Sequence, residues 1–180
     1  MYVNADFAGR WHKEFSHLRG NVLSHTGYII EFCGCPISWA SKLQSEITLL
    51  TTKSEYIALS TATRDILPLL RVLQDIITQS YIKNPATAPD TISTTIFKSQ
   101  LAPLKVYEEN SACIVLATTE SNFKPRTKHI SLKFHHFHDN IKMASLQILK
   151  IDSNLNWANI FTKLLGKTKF THLRRLMMGW

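Results

Sequence analysis

Ile37-Ser38-Trp39-Ala40-Ser41-Lys42-Leu43-Gln44, followed by Ser54-Glu55-Tyr56-Ile57-Ala58-Leu59, is the stretch that decides the fold. Residues 37–41 read as a strand. Residues 54–78 carry apolar side chains at Tyr56, Leu59, Ile66, Leu69, Leu70, Leu73, Ile76 and Ile77, a helical period with one wide buried face. Thr51, Thr52 and Ser54 are candidate N-caps. Pro68 falls inside the run and predicts a kink or a break there, because its ring removes one backbone hydrogen bond.

Two further strands precede this junction. Residues 2–7 form one. Residues 26–32 form the other, where Gly27-Tyr28-Ile29-Ile30-Glu31-Phe32 is aromatic and β-branched. A polar connection over 9–20 separates them, and Gly34 with Pro36 makes the turn into the third strand. Downstream, residues 84–95 are rich in Pro, Thr, Ala and Ser and read as a loop. Residues 104–107 are a short buried strand and 111–118 a helix. Residues 128–143 are a helix with Ile130, Phe134, Phe137 and Ile141 on one face. The last strand covers 146–151 and the last structured helix 157–165. Three strands, then helix, strand, helix, strand, helix, predict an α/β fold. Its sheet is five-stranded and mixed, an antiparallel three-strand meander plus two parallel strands, with helices on both faces.

Bulk properties agree with one globular domain. The chain has 180 residues, 44% hydrophobic and 19% charged, enough to bury a sizeable core. Its formal net charge is +8 and its pI about 9.5, which suits a polyanionic partner such as nucleic acid. Cys33, Cys35 and Cys113 lack zinc-ribbon spacing and read as apolar strand residues in a reducing compartment. No apolar run approaches the roughly 20 residues needed to span a bilayer. An intracellular location, in cytoplasm or nucleus, is expected. The chain enters a strand directly at Met1-Tyr2-Val3, so a piece of a longer reading frame is expected.

Several blocks, in order, carry a resemblance: Tyr2-Val3-Asn4-Ala5-Asp6-Phe7-Ala8-Gly9, Thr26-Gly27-Tyr28-Ile29-Ile30, the two stretches quoted above, Val106-Tyr107-Glu108-Glu109-Asn110-Ser111, Thr127-Lys128-His129-Ile130, and Leu155-Asn156-Trp157-Ala158-Asn159-Ile160-Phe161-Thr162-Lys163. Together they resemble the ribonuclease H domain that ends the Pol polyprotein of copia-type retrotransposons. The resemblance implies a ribonuclease H-like domain over residues 1–165, with 166–180 as a basic C-terminal tail. It implies an upstream reverse transcriptase domain and an RNA–DNA hybrid as partner, recognised by shape, 2′-hydroxyls and phosphates. It further implies hydrolysis of the RNA strand by two magnesium ions (Mg2+) held by about four carboxylates.

Carried onto this sequence, those acids fall at Asn4, Glu55, Glu109 and Asn159. The family pattern has Asp at the first, third and fourth of these. Two carboxylates are therefore amides, and the formal charge of the four positions falls from −4 to −2. Glu109 is one methylene longer than Asp, whereas ligand distances tolerate only about 0.2 Å. Asp6 shares a strand face with Asn4 and is the candidate replacement. Two strand residues span about 6.6 Å, however, more than the roughly 4 Å between paired metals. Its alternative reading is a polar residue at a strand end. The remaining candidate metal ligands are thus Glu55, Glu109 and Asp6. Glu108 is expected to point away from Glu109, because strand neighbours face opposite sides.

Lys124, Arg126 and Lys128, interrupted by Pro125, form the best phosphate-contact run, with His129 beside it. A solvated loop is the alternative. His129, His135, His136 and His138 resemble a metal cluster, but no acid or Cys closes it, and they read as exposed or nucleic-acid-facing imidazoles. Trp39 reads as core. Lys163, Lys167, Lys169, Arg174 and Arg175 make the terminal segment basic. Two functions remain open at this level: a divergent, weak endoribonuclease around Glu55, Glu109 and Asp6, or a decayed domain that keeps its fold and at most binds nucleic acid.

Overall fold

The computed structural model describes residues 1–9, 11–15, 17–83, 104–119, 137 and 146–180, with backbone alone for 80–83. Among these, the strands are β1 (Tyr2–Asp6), β2 (His25–Phe32), β3 (Cys35–Leu43), β4 (Lys105–Glu108) and β5 (Gln147–Lys150). They form one mixed sheet in the order β3-β2-β1-β4-β5. β1, β2 and β3 are antiparallel neighbours, while β4 runs parallel to both β1 and β5. This is the α/β arrangement expected from the sequence. The hairpin turn is Cys33-Gly34, both with positive φ (52° and 79°), the conformation a two-residue turn between twisted strands requires. Pro36 already lies in β3.

Four α-helices are described: α1 (Arg19–Val22), α2 (Thr51–Lys83), α3 (Ser111–Thr118) and α4 (Lys167–Met178). α2 is uninterrupted through Pro68, so the expected break does not occur. Pro68 and Arg64 are exposed. The Arg64 carbonyl that loses its amide partner therefore faces water, while Ala62 and Ile66, 0% and 2% exposed, hold the opposite face on the sheet. The core under α2 joins Val3, Ala5, Tyr28 and Ile30 to Tyr56, Leu59, Val106 and Cys113. Phe137, also buried there, meets the Tyr56 ring edge-on at 5.3 Å.

Two polar anchors fix α2. Gln44 is buried and donates from its Nε2 to Thr26 Oγ1 at 3.0 Å and to the Ser54 carbonyl at 2.9 Å. Eleven residues further along, Asp65 accepts from the Tyr28 hydroxyl at 2.6 Å and from Lys42 Nζ at 3.1 Å. Together they hold the first turns of α2 in register over β2.

The other sheet face is covered by a 3-10 turn (Trp157–Phe161) and by α4. Tyr2 stacks on Tyr107 at 4.8 Å and on Trp157 at 4.3 Å. The 157–165 helix expected from sequence is shorter, and a further helix follows it. Much of the segment read as a basic tail is α4, whose Leu173 is fully buried. Trp39, expected in the core, is 61% exposed. It sits on edge strand β3 opposite Ile29, beyond the cover that buries Ile29 itself. No helix among the described residues is long and apolar enough to cross a membrane.

Gly27 decides how closely that cover approaches. It pairs with Asn4 across β1 and β2. A Cβ there would lie 2.5 Å from Thr162 Cγ2 and 2.9 Å from Phe161 Cβ. Only a residue without Cβ lets the 157–162 segment rest on the strand. Gly27→Ala is expected to lower the thermal unfolding midpoint, with an overpacking cost of about 1–3 kcal/mol. An unchanged midpoint would show that the segment yields without cost.

Candidate functional site

The C-terminal ends of the parallel strands β1 and β4 and the first turns of α2 meet the 3-10 turn and the residues that follow it. A cleft of about 790 Å³ opens there, lined among others by Asp6, Glu55, Glu109, Asn110, Thr162 and Lys163. Three of the residues singled out as acids thus face one cavity. Asn4 and Asn159 lie beside it, fully buried. Asn4 donates its Nδ2 to Thr162 Oγ1 at 2.5 Å. Asn159 donates its Nδ2 to the Ser153 carbonyl at 2.9 Å and to Glu109 Oε2 at 3.4 Å. Lys124, Arg126, Lys128 and His129 lie outside the described residues, as do His135, His136 and His138.

Each group owes its position to local structure. Asn110 caps α3 by accepting from Cys113 N at 3.0 Å, which ends β4 just before Glu109. Asn156 caps the 3-10 turn by accepting from Ala158 N at 3.1 Å and donates to the Val3 carbonyl at 2.9 Å. The turn is thereby fastened to the central strand. Asp6 accepts from Gly9 N at 2.5 Å, so its carboxylate closes the bend leaving β1 as well as lining the cleft.

The electrostatics divide the acids into two kinds. Glu55 is 3% exposed, and its Oε2 accepts from Ala5 N at 2.5 Å. Burial, with the Glu108 charge next in weight, pushes its carboxyl up to about 9, against the Ala5 amide and Lys163. Glu108 is fully buried, and strand alternation sets it on the core side with Val106, away from Glu109. Its Oε1 accepts from Asn110 N at 2.8 Å, while its Oε2 has no partner. Burial pushes Glu108 up to about 8, helped by the Glu109 charge. Both are therefore protonated at neutral pH. Glu109 is ionised: partial burial raises it, but Lys163 outweighs that and holds it below the usual carboxylate range. Lys163 Nζ lies 2.6 Å from Glu109 Oε1.

The buried acid Glu108 and the Lys163 ion pair were not legible as site features in the sequence. The signal for Lys163 was its spacing: four residues after Asn159 on a helical turn, it returns to the same face.

This donor set does not fit two magnesium ions. Among the described residues, no three His, Cys, Asp or Glu side chains converge on one point. Glu109 already has a cation, and Asn4 and Asn159 are neutral. The Oδ1 atoms of both amides are buried without partners, but uncharged acceptors do not offset the dehydration of a small, hard dication.

The two raised carboxyls set a pH dependence. Folded-state values above the unfolded one mean stability that is complete below about pH 4.5 and is lost as pH climbs through about 8 to 9. Glu108→Gln is expected to flatten that decline, so that the midpoints of variant and parent diverge increasingly above neutrality. Parallel profiles from acid to alkaline pH would contradict a protonated Glu108.

No family model matches the chain, and no solved structure matches it. Curated relatives do. The retrovirus-related Pol polyprotein from transposon TNT 1-94 of Nicotiana tabacum is 31% identical over 178 residues, 98% of this chain and 11% of the relative. The Pol polyprotein from transposon RE1 of Arabidopsis thaliana is 24% identical over 94% of this chain and 10% of its own length. That from transposon RE2 of the same plant is 22% identical over 97% and 10%. The chain spans about a tenth of the length of these relatives. Along nearly all of its own length, the chain is homologous to one segment of the retrovirus-related Pol polyproteins of plant transposons.

Proposed function

We propose that the chain is the ribonuclease H-type domain of a copia-type retrotransposon Pol polyprotein, retaining a nucleic-acid-binding role while its hybrid-cleaving chemistry is impaired. In this reading its partners are an RNA–DNA hybrid and an upstream reverse transcriptase domain. The observation that carries it is the meeting of Glu55, Glu109, Asn4 and Asn159. They stand on four different segments and up to 155 residues apart, yet they gather at one end of a mixed sheet around one cleft. The order of strands and helices supports the same fold assignment, ribonuclease H-like.

In such a domain about four carboxylates would hold two magnesium ions, whose chemistry would be to help generate the hydroxide nucleophile and to stabilise the leaving oxygen. The residues here favour the impaired form. Glu109 is held by an ammonium and an amide, Glu55 is buried and accepts from Ala5 N, and Asp6 is engaged by its own bend. What the chain retains is the cleft and a strongly basic composition. Net charge +8 favours contact with phosphates without base reading.

Incubation of a labelled hybrid with the wild-type chain in magnesium, and separately in manganese, is expected to leave the RNA strand intact. The Asn4→Asp, Glu109→Asp, Asn159→Asp variant is expected to gain cleavage. Equal cleavage by both proteins would overturn the impaired reading, and cleavage by neither would remove support for the ribonuclease lineage.

Affinity for hybrid or duplex RNA is expected to fall steeply with salt, by about 10³-fold or more from low to physiological ionic strength if six or more phosphates are neutralised. Replacing Lys124, Arg126 and Lys128 by Ala should weaken every sequence about equally. Salt-independent binding, or a loss confined to one sequence, would argue against a phosphate-tracking surface.

A further inference from the structure

The Glu109 carboxylate is fully engaged. Lys163 Nζ donates to Oε1 at 2.6 Å, and Asn159 Nδ2 reaches Oε2 at 3.4 Å. The Ser153 hydroxyl adds a hydrogen bond to the same carboxylate. Lys163 is itself fixed at the base: its backbone N–H donates to the Asn159 carbonyl at 3.0 Å, and from there the side chain turns back into the cleft. The Lys163 side chain is 36% exposed and that of Glu109 17%, so the pair is partly shielded from water.

The amide at position 159 matters to this arrangement. A carboxylate there would confront both Glu109 and the Ser153 carbonyl that now accepts from Asn159 at 2.9 Å. Two acids and a carbonyl at that spacing need a cation of higher charge, whereas an acid facing an amide needs only one positive charge. Asn4 repeats the pattern by donating to Thr162 Oγ1 at 2.5 Å, one residue before Lys163. The Glu109 carboxylate is thus balanced and hydrogen-bonded by the chain's own side chains.

We propose that Lys163 is the resident cation of this site: its ammonium occupies the side of Glu109 that a metal ion would use and competes with any divalent ion for it. The inference rests on the reading that the cleft descends from a metal centre. Lys163, Asn159 and Glu109 form a lock that ties the end of the 3-10 turn to the end of β4 without an exogenous ion. Restoring the acids alone then leaves a competitor in place, and removing the ammonium as well should tighten dication binding further.

The test is calorimetric titration of magnesium into four proteins: wild type, the Asn4→Asp, Glu109→Asp, Asn159→Asp variant, and that variant carrying either Lys163→Gln or Lys150→Gln. Lys150 Nζ donates to the Glu109 backbone carbonyl, so Lys150→Gln removes an equal charge nearby without touching the carboxylate. Lys163→Gln is expected to tighten magnesium by about tenfold or more, as loss of a positive charge at contact distance should, and Lys150→Gln by far less. Unchanged affinity in the Lys163 variant, or equal gains from both lysines, would overturn the proposal. If Lys163→Gln does not fold, Lys163→Met keeps the aliphatic stem and serves the same comparison. Cleavage of a hybrid by these variants reads the ribonuclease assignment separately. Tighter magnesium without cleavage keeps the lock and loses that assignment, while cleavage without a Lys163 effect does the reverse.

Discussion

Acids brought to one end of a sheet must be neutralised, and the rest of the site follows from how this chain does it. Glu55, Glu108 and Glu109 lie close enough that the Glu108 and Glu109 charges both act on Glu55. An unpaired buried charge costs several kcal/mol in a medium that solvates it poorly. Three routes are available: a metal ion, a bound proton, or an opposite side-chain charge. Glu55 and Glu108 take the proton, and Glu109 takes the ammonium of Lys163. Asn4 and Asn159 remove the need by carrying no charge. Every acid-site feature is thus one solution to a single electrostatic constraint.

That solution has structural consequences. A protonated Glu55 still accepts from Ala5 N, so the first turn of α2 stays fastened to β1. The Glu109–Lys163 pair, the Asn156 cap and the close approach at Gly27 fasten the 157–163 segment to the opposite face of the same strands. A metal centre would bind these elements through exchangeable ions. Here they are joined by side-chain hydrogen bonds and an ion pair.

Much of the fold was legible in the sequence. The aromatic and β-branched run at 27–32 and the apolar period from Tyr56 to Ile77 each state their own secondary structure, because strand and helix periodicities are local properties. The misread elements are those whose state depends on what lies across from them. Pro68 does not break α2, because its freed carbonyl faces water, and exposure is not written in the local pattern. Lys167 to Met178 reads as a basic tail until Leu173 finds a buried place on the sheet. Trp39 has the size and neighbours of a core residue but lies on an edge strand.

The site divides the same way. The sequence by itself determined which residue types stand at positions 4, 6, 55, 109 and 159, and hence the loss of two formal charges. It also led to the expectation that neighbours Glu108 and Glu109 face apart, by strand alternation. Only the tertiary structure decided the protonation of Glu55 and Glu108, because a pKa depends on burial and on charges from distant segments. Only it decided that Lys163, 54 residues from Glu109, would supply the cation. Covalent order sets the inventory of groups. Distance and dielectric, which exist only once the chain has folded, set what those groups do to one another.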